Sequence, residues 1–137
     1  MTAPPVPVPT PLTTPFWAGC AAGELRLQHC AGCDAPFFPP QFRCPACLGD
    51  EVTWVSLSGR ARLYSYLIQQ RPAPGFEDRV PYAVAIVELA EGPRMMTNIV
   101  GIPNTSDDLV LDMELEVRFE PRGDLHLPVF GPVGDRS

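Results

Sequence analysis

The chemistry this sequence offers is concentrated in four cysteines. Cys30-Ala31-Gly32-Cys33 and Cys44-Pro45-Ala46-Cys47 are two Cys-x-x-Cys pairs with ten residues between them. Each pair forms a tight knuckle that turns two sulfurs to one side. The loop between is short enough to fold one knuckle onto the other. Four thiolates then enclose one ion as a closed tetrahedron, the donor set of structural Zn²⁺. Iron fits the same donors and would make the site a redox centre. Two disulfides, or four unrelated buried thiols, are the plain alternatives, and the spacing argues against both. A closed site leaves no position for water or substrate, so the metal is expected to be structural. It should contribute on the order of 10 kcal/mol to local folding, because the site does not exist in the unfolded chain.

Other reactive groups are few. No Ser/His/Asp set is evident. His29 precedes the first knuckle, where four thiols already complete the site, so a surface or supporting role suits it better than ligation. Cys20 stands apart from the knuckles and reads as a small buried hydrophobe. Glu114, Glu116 and Glu120 alternate with apolar residues and read as a solvated strand face rather than an acid–base pair. Arg60, Arg62, Arg71 and Arg79 can meet phosphates. All ten basic residues are arginine, however, so no single one is diagnostic.

The elements that must hold these groups follow from the bulk numbers. At 137 residues and 45% hydrophobic content, the chain is one domain, or two small ones sharing a core. Eighteen prolines argue against a helical bundle. A net charge of −6 repels phosphate backbones, so no nucleic-acid partner is expected. No apolar run of about 18 residues suggests a membrane span. No basic start followed by an apolar segment suggests a secretory signal, and the metal-spaced cysteines suit a reducing cytoplasm.

Residues 1–11 alternate proline with valine or threonine and read as an extended arm: a linker or a disordered tail. Residues 13–24 are the best helix candidate, with Thr13 or Thr14 as cap, Pro15 in the first turn and Gly23 as stop. Phe16, Trp17, Cys20 and Ala21 share one face, which either packs on the ribbon or meets a partner. Leu25 to His29 is a short strand. Pro36-Phe37-Phe38-Pro39-Pro40 sets two aromatics in a proline frame, over the metal or against the C-terminal strands. From Val52 the pattern has period two. Thr53–Leu57, Arg60–Ile68, Tyr82–Leu89, Arg94–Val100 and Glu114–Glu120 are expected as five strands of a small closed barrel. In Arg60–Ile68 one face is expected to hold Ala61, Leu63, Ser65 and Leu67, and the other Arg60, Arg62, Tyr64 and Tyr66. The apolar tail Leu127–Pro132, with Phe130, is excluded as a central strand by its prolines and should lie across the domain or a partner. Two long loops, 69–81 with Arg71, Phe76 and Arg79, and 101–113 with Asn104, Asp107 and Asp108, are where binding is expected.

The order of these parts resembles a known family. Its specific pieces are Pro15-Phe16-Trp17, Gly23 to Leu27 running into the first knuckle, Phe38-Pro39-Pro40, Cys44 to Cys47, Trp54-Val55, Ser58-Gly59, Pro81 to Ala85, Glu91 to Arg94, Thr97 to Gly101 and Val117 to Glu120. Over about residues 12–131 the chain is similar to the zinc-ribbon OB-fold proteins that accompany thiolase-like enzymes, long called a domain of unknown function and described as acyl-CoA-associated. The resemblance implies a mostly β fold: an N-terminal helix, a rubredoxin-like zinc ribbon and a five-stranded OB-type antiparallel barrel. The corresponding divisions are 1–11 arm, 12–51 helix and ribbon, 52–131 barrel, 132–137 tail. It implies a non-catalytic subunit beside a thiolase-superfamily enzyme, with steroid side-chain aldolases among the known settings. There the domain can be fused to a MaoC-like hydratase, and the Pro-rich start is similar to such a fusion linker. Under this resemblance Cys30, Cys33, Cys44 and Cys47 hold Zn²⁺. Phe16, Trp17, Phe37, Phe38 and Phe130 are candidates to meet the partner, and Arg71, Phe76 and Arg79 to meet acyl-CoA. An iron–thiolate redox protein and an OB-fold nucleic-acid binder, the latter resting on Tyr64 and Tyr66 beside Arg60 and Arg62, are the alternatives. Many members carry glycine just after each knuckle and before the last strand; here the residues are Asp34, Leu48 and Asp112.

Overall fold

The structure, a computed structural model, describes residues 7–71, 75, 78 and 80–133. One helix, α1 (Thr14–Ala21), precedes eight strands: β1 (Leu25–Cys30), β2 (Ala35–Phe37), β3 (Val52–Leu57), β4 (Arg60–Gln69), β5 (Tyr82–Leu89), β6 (Arg94–Asn98), β7 (Glu114–Arg122) and β8 (Leu125–Pro132). They form a three-stranded sheet, β2-β1-β3, and a five-stranded sheet, β6-β5-β4-β7-β8. All ladders are antiparallel. A parallel bridge from Ile99 to Phe130 brings the ends of the larger sheet together into a nearly closed barrel of the OB type.

α1 starts behind a turn in which Thr10 and Thr13 exchange side-chain hydrogen bonds. It ends as Gly23 takes a left-handed φ of 79°. The Gly23 N–H then donates to Cys20 O and the Glu24 N–H to Gly19 O, a Schellman closure. Phe16, Gly19 and Cys20 are buried. Phe16 and Cys20 join Leu25, Leu27, Leu63, Val87, Leu115 and Phe130 in one core, so the helix is packed into the protein rather than appended to it.

Three strand expectations are corrected. β3 pairs with β1 along its full length, Leu25 opposite Leu57 to Cys30 opposite Val52, and therefore belongs to the ribbon sheet. Its place in the barrel is taken by the tail, which pairs with β7 from Leu115–Pro132 to Arg122–Leu125. The prolines spoke against a central strand, and β8 does stand at the end of the sheet order; within it they fall at harmless positions. The Val133 N–H donates to Glu114 O, and the Val100 N–H donates to Phe130 O on the opposite side. Main-chain groups alternate sides, so Pro128 and Pro132 sit where an N–H would point away from β7. Finally, β4 carries a β-bulge between Leu63 and Ser65. The extra residue, Tyr64, reverses the alternation. Tyr66 and Ile68 pack on the core, and Leu67 is 61% exposed.

Candidate functional site

The knuckles sit at the end of the ribbon sheet. Cys30 is the last residue of β1, held opposite Ala35 and Val52. Gln28, buried two positions earlier in β1, clamps the loop between the knuckles: its amide donates to Gln41 O at 2.8 Å and its carbonyl accepts the Gln41 N–H at 2.6 Å. Phe37 and Val52 pack against Cys30 and Cys44, shielding one side of the cluster. The remaining thiols, Cys33 and Cys47, are exposed.

The four Sγ atoms lie within 4.8 Å of one another. Cys30–Cys47 is 3.6 Å and Cys33–Cys44 is 3.8 Å. Sulfurs placed about 2.3 Å from a central ion define a tetrahedron with edges of about 3.8 Å. The donors are therefore gathered close to the arrangement that a tetrahedral thiophilic metal takes. Backbone N–H groups support them: Cys33 to Cys30 Sγ, Ala46 to Cys44 Sγ and Gly49 to Cys47 Sγ, each 3.4 Å. The Cys47 and Ala46 amides draw the Cys44 thiol down to about 7. Cys33, which meets Cys47, Cys44 and Cys30 as rival thiols, is pushed up to about 12. Four thiolates this close repel one another, and a cation is needed to hold them together.

The residues after each knuckle keep the backbone shape that glycine ordinarily provides. Asp34 has φ 53°, Leu48 φ 62°, and Asp112, before β7, φ 69°. His29 Nε2 lies 3.2 Å from Asp34 Oδ1, so the histidine braces the first knuckle turn and does not ligate. Among the described residues, the four cysteines are the one cluster of three or more metal-binding groups.

The other candidates are dispersed. Phe16 is 5% exposed and stacks edge-on against Trp17, with ring centres 4.9 Å apart. Phe38 follows at 5.8 Å from Phe16. Phe37 lies under the cysteines and Phe130 is fully enclosed in the barrel. Trp17 and Phe38 are half-buried beside them. Arg71 is exposed, and Gln69 Nε2 donates to its carbonyl. Phe76 and Arg79 lie outside the described residues. Arg62 and Arg94 both engage Glu88, at 3.0 and 3.3 Å, and Arg94 covers the Tyr64 ring. In loop 101–113 the Asn104 side chain ties the loop to β5, since it accepts from the Ala83 N–H and donates to Ile99 O and Ile102 O.

Sequence reasoning missed a cavity of about 280 Å³ where α1, the inter-knuckle loop and the barrel meet. Phe16, Trp17 and Phe38 form one wall, Met95 to Asn98 and Leu127 to Val129 the others, and Arg122 is the charged residue in its lining. The signal was the Met95-Met96 pair, of which Met96 is 69% exposed.

Two family models match in tandem: the ChsH2 rubredoxin-like zinc ribbon domain over residues 17–53, and the ChsH2 C-terminal OB-fold domain over 54–120. The chain aligns with a DUF35 domain-containing scaffold protein of Methanothermobacter thermautotrophicus at 36% identity, covering 69% of this chain and 72% of that protein. This chain belongs to the ChsH2/DUF35 family. Among solved structures, an Ltp2-ChsH2(DUF35) aldolase chain superposes with a TM-score of 0.80 at 32% identity, covering 93% of this chain and 98% of that one. A probable enoyl-CoA hydratase alpha subunit of Thermomonospora curvata is 38% identical over 86% of this chain, which spans 37% of that protein's length. The ChsH2/DUF35 family is thus associated with acyl-CoA thiolase, aldolase or hydratase assemblies, another relative being the benzoylsuccinyl-CoA thiolase subunit BbsA of Thauera aromatica.

Proposed function

We propose that this chain is a non-catalytic subunit or domain that binds and supports a thiolase-superfamily enzyme acting on acyl-CoA, with carbon–carbon cleavage of a steroid side chain as the favoured setting. The observation that carries this reading is the likeness, over 93% of the chain, to the DUF35 component of an aldolase. A second relative, the 3-oxo-4,17-pregnadiene-20-carboxyl-CoA hydratase alpha subunit of Mycobacterium tuberculosis, supports the steroid setting and a MaoC-like hydratase as further partner. That relative is 37% identical over 63% of this chain, which spans 27% of its length.

In this reading the cysteine cluster holds Zn²⁺. The ion supplies charge that keeps four thiolates together and cross-links the knuckles. The chain's own residues do the rest. Gln28 fixes the inter-knuckle loop, Phe37 and Val52 exclude water from Cys30 and Cys44, and the backbone N–H groups orient the sulfurs. α1 and the loop between the knuckles then present Trp17 and Phe38 beside the barrel as a surface for the partner. Arg71, Phe76 and Arg79 remain the proposed contacts for acyl-CoA, and the working compartment is the cytoplasm. No helix among the described residues is long and apolar enough to cross a membrane.

Co-purification from the native host tests the reading. Recovery of a thiolase-like or aldolase enzyme in fixed stoichiometry supports it. Recovery of nucleic acid, or of a reductase with iron in the cysteine site, would replace it with one of the alternatives.

A further inference from the structure

The knuckle end of the ribbon holds two large apolar side chains in water. Phe42 is 79% exposed and Leu48 is 69% exposed. Phe42 stands on the loop between the knuckles, beyond Phe38, and Leu48 directly follows Cys47. Both stand on backbone that is held in place. Gln28 clamps Gln41, the residue before Phe42, through its N–H and its carbonyl. The Leu48 N–H donates to Cys44 O at 2.8 Å, and Arg43 Nη1 donates to Leu48 O at 3.2 Å. The last of these bonds ties the neighbour of Phe42 to Leu48, so the two apolar side chains share one tip.

The fold does not account for either. Phe42 and Leu48 belong to neither buried cluster, nor to the half-buried residues packed against them. Leu48 adopts φ 62°, a left-handed shape that glycine takes without strain. A leucine there strains the turn and makes no core contact in exchange. Strain that the structure keeps without a packing reason points to function. Apolar groups already fixed in place also lose little freedom on docking.

Charge selects the occupant. From Cys30 to Glu51 the sequence holds three carboxylates, Asp34, Asp50 and Glu51, and one cation, Arg43. Asp50 and Glu51 are exposed and have no ion-pair partner among the described residues. The Ala31 N–H donates to Glu51 O, which sets Glu51 beside the first knuckle. The Asp34 side chain is 94% exposed and meets His29. A divalent ion held by four thiolates adds further negative charge. Two such tips repel each other, as do the tip and a phosphate backbone.

We infer that Phe42 and Leu48 dock into an apolar socket of the partner enzyme whose rim carries arginine or lysine. The inference rests on the accessory reading above and adds a contact separate from Trp17 and Phe38. Phe42 fills the socket, Leu48 seals its edge, and Asp50 and Glu51 meet the basic rim and speed the encounter.

Leu48→Gly separates docking from a structural role. The metal-loaded variant should melt higher than the parent, yet bind the co-purified enzyme at least about threefold more weakly. Phe42→Ala should weaken binding at least about tenfold while keeping its full metal content. Benzoylphenylalanine in place of Phe42 should cross-link to an apolar stretch of the enzyme flanked by arginine or lysine. Asp50→Asn combined with Glu51→Gln should slow association at low salt, with the difference vanishing at high salt. Parental affinity in both Leu48→Gly and Phe42→Ala overturns the inference and leaves the accessory reading standing. A cross-link to a second copy of this chain overturns it in favour of that occupant. Association of the charge variant at the parental rate at low salt overturns the basic rim. Failure of any thiolase-like enzyme to co-purify removes the inference and the accessory reading together.

Discussion

At the scale of single residues, the metal cluster combines strong determinants with one visible strain. Leu48 is 69% exposed, so its side chain adds little packing, yet its φ is 62°. A left-handed leucine costs about 1–2 kcal/mol relative to glycine. Leu48→Gly should therefore raise the melting temperature of the metal-loaded protein; an unchanged or lower value would mean the turn is not strained. Cys44→Ala leaves three thiolates and should abolish stoichiometric metal, by elemental analysis, and unfold the ribbon. A variant with full metal content would refute the assigned ligand. Cys20 tests the core. Burial among Phe16 and Leu25 pushes its thiol up to about 11 from 9. The folded state favours the protonated form, so this contribution is complete below pH 9 and is lost as pH rises from 9 through 11. Unfolding free energy should fall across that window, and Cys20→Ala should flatten the slope. The four ligands were legible because metal spacing is a local pattern. The left-handed shape at Asp34, Leu48 and Asp112 was legible only through the family resemblance, since none of the three is glycine.

At the scale of elements, the decisive joint is Ser58-Gly59, where the chain leaves the ribbon sheet for the barrel. Gly59 has φ 81°, accepts the Val117 N–H at 2.8 Å, and leaves no room for a Cβ, which would come within 2.5 Å of Val117 Cγ1. Gly59→Ala combines backbone strain with overpacking and should cost roughly 2–4 kcal/mol, read from denaturant unfolding. A loss below about 0.5 kcal/mol would show that the joint tolerates a different path. The same joint explains what the sequence concealed. Alternation in Thr53–Leu57 specifies a strand but not its partner, and β1 claimed it through six register pairs. The bulge at Tyr64 is invisible to a period-two reading, because Tyr and Leu suit either face. The prolines of the tail rightly kept it out of the centre of the sheet, but a proline count ignores parity and hid the edge strand: Pro128 and Pro132 share the side that needs no N–H towards β7.

At the scale of the whole molecule, α1, ribbon and barrel share one core, since Phe16, Leu27 and Leu115 belong to a single buried cluster. The ribbon is therefore a fixed part of the surface offered to a partner. Metal loss should propagate to the aromatic wall formed by Phe16, Trp17 and Phe38, and a chelator strong enough to strip the site should release the partner as well. The most direct test of the accessory role is steady-state acyl-CoA turnover by the co-purified enzyme, measured with this chain present, removed and added back. An accessory subunit requires that turnover fall on removal, return on addition, and be absent from this chain alone. Turnover by the isolated chain, or a partner whose rate is indifferent to it, would refute that role.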